Sequence, residues 1–143
     1  METNNNIEFG WLVGIFDGEG NICITFARSS MGYVGIANKD RVILKRCLEI
    51  TKGLGIPPSN YSPGFISLVW NGYTGTPLLE KLLPHICNTK QQKRAAIYLK
   101  WYDPKYKHKP QRTRRLQLWE EWKELVRGEY TRGENRGPRP HWL

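Results

Sequence analysis

Cysteine, histidine and long apolar runs are all in short supply, and each shortage removes a class of protein. Cys23, Cys47 and Cys87 are odd in number and widely spaced, with no C-x-x-C pair, so neither a disulfide framework nor a zinc site is encoded. His85, His108 and His141 are equally scattered and lack ligand spacing. No apolar stretch reaches membrane length and no secretory leader pattern is present, so an intracellular protein with reduced thiols and no membrane contact is expected. Whether its host is an organelle, a prokaryote or a virus is not written in the residues. Acids are scarce too: 13 Asp and Glu stand against 22 Lys and Arg, a formal charge of +9. Residues 1–85 carry seven charges of each sign, whereas residues 86–143 carry fifteen bases against six acids. The whole excess therefore lies in the last two fifths of the chain, where an anionic partner accounts for it and so does plain solubility.

What the chain does have is a stretch of apolar helix ending in acids. Trp11 to Gly20 reads W-L-V-G-I-F-D-G-E-G. A surface helix needs one apolar stripe, but Trp11, Leu12, Val13, Ile15 and Phe16 leave no side for water. Such a helix has to be buried between two bodies. Gly14 and Gly18 are four residues apart and share a face that admits another backbone, while Asp17 and Glu19 emerge where the helix stops. A carboxylate at the end of a buried helix carries a desolvation cost that hydrogen bonds or a metal ion offset.

Residues 12 to 20, L-V-G-I-F-D-G-E-G, resemble the signature of the LAGLIDADG homing endonucleases, intron- or intein-associated enzymes that cut long DNA sites. Leu12, Gly14, Asp17, Gly18, Glu19 and Gly20 fall at the positions of that pattern. The chain holds one copy, and at 143 residues it is one domain by size. Single-copy members resemble homodimers whose signature helices pack on each other, so the resemblance implies a dimer interface at Trp11, Leu12, Gly14, Ile15 and Gly18.

Periodicity along the rest of the chain predicts an α+β unit. Asn5 and Glu8 have capping-box spacing ahead of the signature helix. Ile22, Ile24 and Phe26 alternate with polar residues as a half-buried strand, Ser30 to Gly32 supplies a turn, and Tyr33 to Asn38 returns with Val34 and Ile36 inward. Asn38 or Asp40 caps a helix to about Lys52 that buries Val42, Ile43, Cys47 and Leu48, and G-L-G-I-P-P ends it. A second hairpin turns at Ser62 to Gly64, with Phe65 to Asn71 as its better strand and Ile66, Leu68 and Trp70 on one side. Helices follow over Leu78 to Ile86, Lys90 to Tyr102 and Leu116 to Val126. The order matches the α-β-β-α-β-β-α unit of the family, an antiparallel curved sheet with helices on one face. Residues 1–126 form the expected endonuclease domain and 127–143 a basic, flexible tail.

In the family the acid at the position of Glu19 is a ligand of Mg²⁺, or another divalent cation such as Mn²⁺, and the carbonyl before it, here Gly18, contributes. The stretch T-K-Q-Q-K at 89 to 93 resembles the segment whose lysine reaches the active site, which puts Lys90 in that role; read without the motif, Lys90 is one more solvated lysine. I-A-N-K-D at 36 to 40 sits where the family places a residue that orders water around the metals, so Asn38 takes that role or is simply a helix cap. Asp17 is assigned to structure. No organic cofactor enters this reading. The partner implied is double-stranded DNA, read in the major groove by the outward sheet face through Asn21, Thr25, Arg28, Ser29, Tyr33, Ser67 and Asn71. Phosphate contacts are expected from the basic half, including Lys93, Arg94, Lys105, Lys107, Lys109, Arg112, Arg114 and Arg115. A metal-dependent homodimeric endonuclease is the leading reading. The alternatives are a non-cleaving relative, either an RNA maturase that assists intron splicing or a DNA-binding protein, and a basic structural protein.

Overall fold

The structure, a computed structural model, describes residues 2–26, 30–61, 64 and 66–131. Helix α1 (Glu2–Glu19) leads directly into strand β1 (Gly20–Phe26), which pairs with β2 (Ser30–Ala37). Helix α2 (Arg41–Gly53), strand β3 (Ser67–Asn71) and helices α3 (Gly75–Leu82), α4 (Thr89–Trp101) and α5 (Arg112–Thr131) complete the order. Among the described residues the sheet is antiparallel in the order β1-β2-β3.

The period of two in β1 and β2 does what the alternation predicts. Ile22, Ile24, Val34 and Ile36 point to one face together with Leu68 and Trp70, and all are essentially inaccessible. That face is roofed by Leu12 and Phe16 of α1, Leu44 and Cys47 of α2, Leu78, Leu79 and Leu82 of α3, and Ala95, Tyr98 and Trp101 of α4. Each such burial contributes about 2 kcal/mol. The opposite face carries Asn21, Thr25, Met31, Ala37 and Asn71 to solvent. The result is two layers, helices on one side of the sheet and an open polar face on the other.

Several boundaries differ from the sequence reading. Helix α1 begins at Glu2, so an Asn5 cap is not its start. The Ser30–Gly32 turn is strand, with Phe26 paired to Ser30. Among the described residues the second hairpin is β3 and a bridge from Asn60 to Val69, and Ser62 and Pro63 of its expected turn lie outside them. Pro57 and Pro58 have no N–H to give a ladder, and pairing starts only at Ser59 and Asn60, whose N–H groups both donate to the Val69 carbonyl at 2.8 and 3.2 Å. Ile66 lies ahead of β3 and is 65% exposed rather than inward. Val42 is likewise 76% exposed, because α2 starts at Arg41 under an Asp40 cap and that phase turns Leu44, Cys47 and Leu48 inward instead. Helix α5 starts four residues early and runs to Thr131, so residues 127–131 of the expected tail are helical; the rest of the tail, with Arg28, Ser29 and Phe65, lies outside the described residues.

The basic half also contains arginines that the charge count misassigned. Arg114 donates to the Lys100 and Trp101 carbonyls, the latter at 3.1 Å, and its guanidinium stacks 4.2 Å from the centre of the Tyr106 ring. Arg115 reaches the Trp101 carbonyl and lies over the Trp101 and Tyr102 rings. The last carbonyls of α4 need donors, and the first turn of α5 supplies them. Arg94 is paired with Glu129. These three are built into the fold rather than offered to phosphates.

Candidate catalytic site and nucleic-acid interface

The α1 helix divides its surface cleanly. Leu12, Val13 and Phe16 are buried in the chain's own core, so Leu12, 0% exposed without any second copy, is not available as an interface residue. Trp11 is half-buried beneath the Arg46 guanidinium of α2, 4.5 Å from the ring centre, and Ile15 is half-buried. Turned roughly opposite the core are Gly10, Gly14 and Gly18 at intervals of four, with Ile7 62% exposed on the same side. A Cβ added at any of the three glycines meets nothing within 4 Å. Among the described residues nothing packs against this face to explain the glycines, of which Gly10 and Gly14, inside the helix, each cost about 1 kcal/mol relative to alanine.

Glu19 is the last residue of α1 and is exposed; Gly20 is the first of β1. The turn between them needs glycine, since a Cβ on Gly20 would lie 2.5 Å from the Phe16 carbonyl oxygen and 2.6 Å from its ring. Glu19 opens onto a depression shared with Ala37, Asn38, Lys39 and Ile66. Asn38 is thus brought beside Glu19, although it is not the helix cap. Its Oδ1 accepts from Asp40 N at 2.8 Å, its N–H donates to the Ile66 carbonyl at 3.0 Å, and Asp40 caps α2 by accepting from Val42 N at 2.9 Å. Lys39 and Ile66 were missed as neighbours of Glu19. Lys39 was legible in principle, as the cation next to Asn38, whereas Ile66 arrives only through the fold.

Lys90 does not line this depression. It sits half-buried in the first turn of α4, whose start is tied to the end of α1. Asp17 accepts from Cys87 N at 3.1 Å and Asn88 N at 3.3 Å, and the Asn88 side-chain amide donates to the Asp17 carbonyl at 3.3 Å. Asn88 in turn caps α4, accepting from Gln91 N at 3.2 Å, and the Gln91 amide donates to the Gly20 carbonyl at 2.5 Å. Asp17, expected as a helix-end or interface group, thus joins the end of α1 to the start of α4 within the chain.

The donors around Glu19 are hard oxygens. Its carboxylate adds to the negative end of the α1 dipole, and the Gly18 carbonyl is one of the last four that a helix leaves without an internal donor. Among the described residues no three His, Cys, Asp or Glu cluster to hold a metal. One carboxylate and a carbonyl fit Mg²⁺, which keeps several waters and takes one or two carboxylates.

On the outer sheet face Asn21, Tyr33 and Ser67 line one depression with Gly35, Ile36, Ala37 and Val69. The Asn21 amide donates to the Tyr33 hydroxyl at 3.2 Å, and Tyr33 pairs in register with Cys23 and Asn71. Burial raises the Tyr33 and Cys23 pKa values, so both side chains stay neutral. Thr25 donates to the Met31 carbonyl at 3.3 Å, and Met31, 64% exposed on this face, was missed. Arg112, exposed, stands over Phe26 at the far end of β1, and Lys93 is exposed on α4.

No family model and no curated protein matches the chain. Solved structures do match, two of them as follows. An archaeal intron-encoded homing endonuclease, I-Vdi141I, complexed with DNA, superposes with a TM-score of 0.57 at 17% identity over 95% of this chain and 89% of that one. The homing endonuclease I-CvuI, in complex with the I-CreI target in the presence of 2 mM Mg and with the DNA not cleaved, gives 0.53 at 22% identity over 73% of each. At these identities the likeness establishes architecture: the chain has the α+β fold of the homing endonucleases.

Proposed function

We propose that this protein is a site-specific DNA endonuclease, working as a homodimer with Mg²⁺ or a similar divalent cation. The observation that carries the proposal is the position of Glu19. A single carboxylate ends a helix whose exposed side is three glycines, and that end opens between the depression holding Asn38 and the polar face of the sheet. A second copy laid along Gly10, Gly14 and Gly18 would bring two such helix ends together and join two polar sheets into one long surface. That surface suits a nearly palindromic duplex, with Asn21, Thr25, Tyr33, Ser67 and Asn71 toward base edges and Lys93 and Arg112 toward phosphates. Glu19 and the Gly18 carbonyl would hold the cation, which when bound neutralises charge on the phosphate and lowers the pKa of bound water. Asn38 would order water beside it, and the Lys90 ammonium would stabilise the charge that develops on the phosphate.

Selecting cut sequences from a genomic or random DNA pool with Mg²⁺ tests activity and specificity together. Wild-type protein should enrich one long site cut in both strands, and Glu19→Gln should bind that site without cutting it. A wild-type protein that binds DNA but leaves it whole, as Glu19→Gln does, would defeat the proposal in favour of a binding or splicing protein.

A further inference from the structure

The four hydrogen-bonding groups that join α1 to α4 are distributed unusually. Asp17 and Gly20 stand on either side of Gly18 and Glu19; Asn88 and Gln91 stand on either side of Lys90. Asp17 takes the N–H groups of Cys87 and Asn88, Asn88 returns its amide to the Asp17 carbonyl, and Gln91 closes the other side on the Gly20 carbonyl. The residues that carry the chemistry are thus bracketed, each pair of flanking residues bonded to the other pair. Gln91 is only 4% exposed, so its bond to Gly20 is sheltered from water. General stability does not require that arrangement. Helix α4 is already anchored by Ala95, Tyr98 and Trp101 in the core, two and three turns further on.

We propose that Asp17, Asn88 and Gln91 are positioning residues, a latch that fixes the first turn of α4 against the last turn of α1 and so sets Lys90 relative to Glu19. The assignment rests on the endonuclease reading above. Its chemistry is simple: two backbone segments, each ending near a required group, are held by bonds at both sides of that group, and neither can slide or twist without breaking one. Small errors in such placement are costly, a shift of ~1 Å being worth roughly a hundredfold in rate.

Asn88→Asp separates the latch from the cap. Asp serves as an N-cap as well as Asn does, so Gln91 N keeps its acceptor, but the amide donor to the Asp17 carbonyl is lost and a second carboxylate is placed beside Asp17. Gln91→Met keeps the volume and removes the bond to Gly20. Both variants should stay folded, with the melting temperature lowered by only a few degrees for the lost bond, and keep the DNA affinity of wild type within about threefold while the single-turnover cleavage rate falls by roughly a hundredfold. Combining either with Lys90→Ala should give a rate no lower than Lys90→Ala alone, because the latch acts through Lys90. A role in stability alone would multiply the two losses, and that result would overturn the proposal.

Hydrogen exchange reads the latch without cleavage. The Cys87 and Asn88 amides should be protected in wild type and exchange at least tenfold faster in Asp17→Ala, which removes both acceptor oxygens. Unchanged exchange overturns the latch even if the enzyme cuts. Protected amides in a wild-type protein that does not cut DNA would sink the endonuclease reading, and the positioning role with it, while leaving the hydrogen bonds themselves in place.

Discussion

The Arg94 guanidinium donates to the Glu129 carboxylate at 2.5 Å, with side-chain exposures of only 14% and 8%. This pair ties α4 to the last turns of α5, and Arg94 also lies over the Trp122 ring at 5.6 Å. Removing one partner of a buried ion pair leaves the other charge without compensation, which costs about 3 kcal/mol or more. Glu129→Ala should therefore lower the urea midpoint clearly, and Glu129→Gln less so. The pair also resets the domain boundary. A chain cut after Val126 loses Glu129 and should be markedly less stable than one cut after Thr131, which keeps it.

The basic half separates into arginines that hold the fold and cations that face outward, and salt dependence distinguishes them. Arg112→Ala should leave stability nearly unchanged while reducing the slope of log affinity for DNA against log salt by about 0.9 for every phosphate that Arg112 neutralises. Arg114→Ala removes donors from the Lys100 and Trp101 carbonyls. That change should cost about 2 kcal/mol of stability and leave the salt slope alone. Equal slopes for wild type and Arg112→Ala would remove Arg112 from the interface.

Burial raises the Cys47 thiol from 9.0 to about 11, and pushes Tyr98 and Tyr102 upward for the same reason. The folded chain holds these protons while the unfolded chain begins to release them near their ordinary values. The resulting stability is fully present below about pH 9 and is lost as pH rises toward the folded value, at about 1.4 kcal/mol per unit for each group. Urea midpoints should fall steeply from about pH 9 upward. Cys47→Ala should flatten part of that fall. A midpoint constant between about pH 8 and pH 11 would contradict the buried thiol and phenols.

The parts of the fold that announce themselves are those where one periodicity holds without interruption. Ile22, Ile24, Val34 and Ile36 could be placed because a strand has only two faces, and the helix expected over Lys90 to Tyr102 lies within one residue of the observed Thr89–Trp101, although its Asn88 cap went unread. Val42 and Leu44 could not be separated, since a helix start shifted by a residue or two turns a different stripe inward and Asp40 and Asn38 are both good caps. The late start of pairing in the second hairpin depended on Pro57 and Pro58 withholding donors from a neighbour not yet known. In the site, Glu19 and Gly20 were visible in the spacing of glycines and acids. The ties from Asp17 to Cys87 and Asn88 cross about seventy residues of sequence, and no local pattern points across that gap. Arg94, Arg114 and Arg115 show the same limit: charge can be counted along a chain, but the carbonyl or carboxylate it will meet cannot.

Gly14 gives the sharpest test of assembly, because its own subunit predicts the opposite outcome from a dimer. Gly14 is exposed, in the middle of α1, and a Cβ there meets nothing within 4 Å. In a chain that stays alone, Gly14→Ala should stabilise the helix by about 1 kcal/mol, and Gly14→Val should be tolerated with a smaller gain. In a dimer packed backbone to backbone along Gly10, Gly14 and Gly18, even a methyl group would hold the helices apart, and valine more so. The expected result is that Gly14→Val shifts sedimentation from dimer to monomer at micromolar concentration and abolishes cleavage, while its circular dichroism stays that of a folded chain. Glu19→Gln should remain dimeric and bind DNA. A Gly14→Val protein that is dimeric and active, or one simply more stable than a wild type that is itself monomeric, would place the subunit interface elsewhere and leave the exposed glycines of α1 without a role.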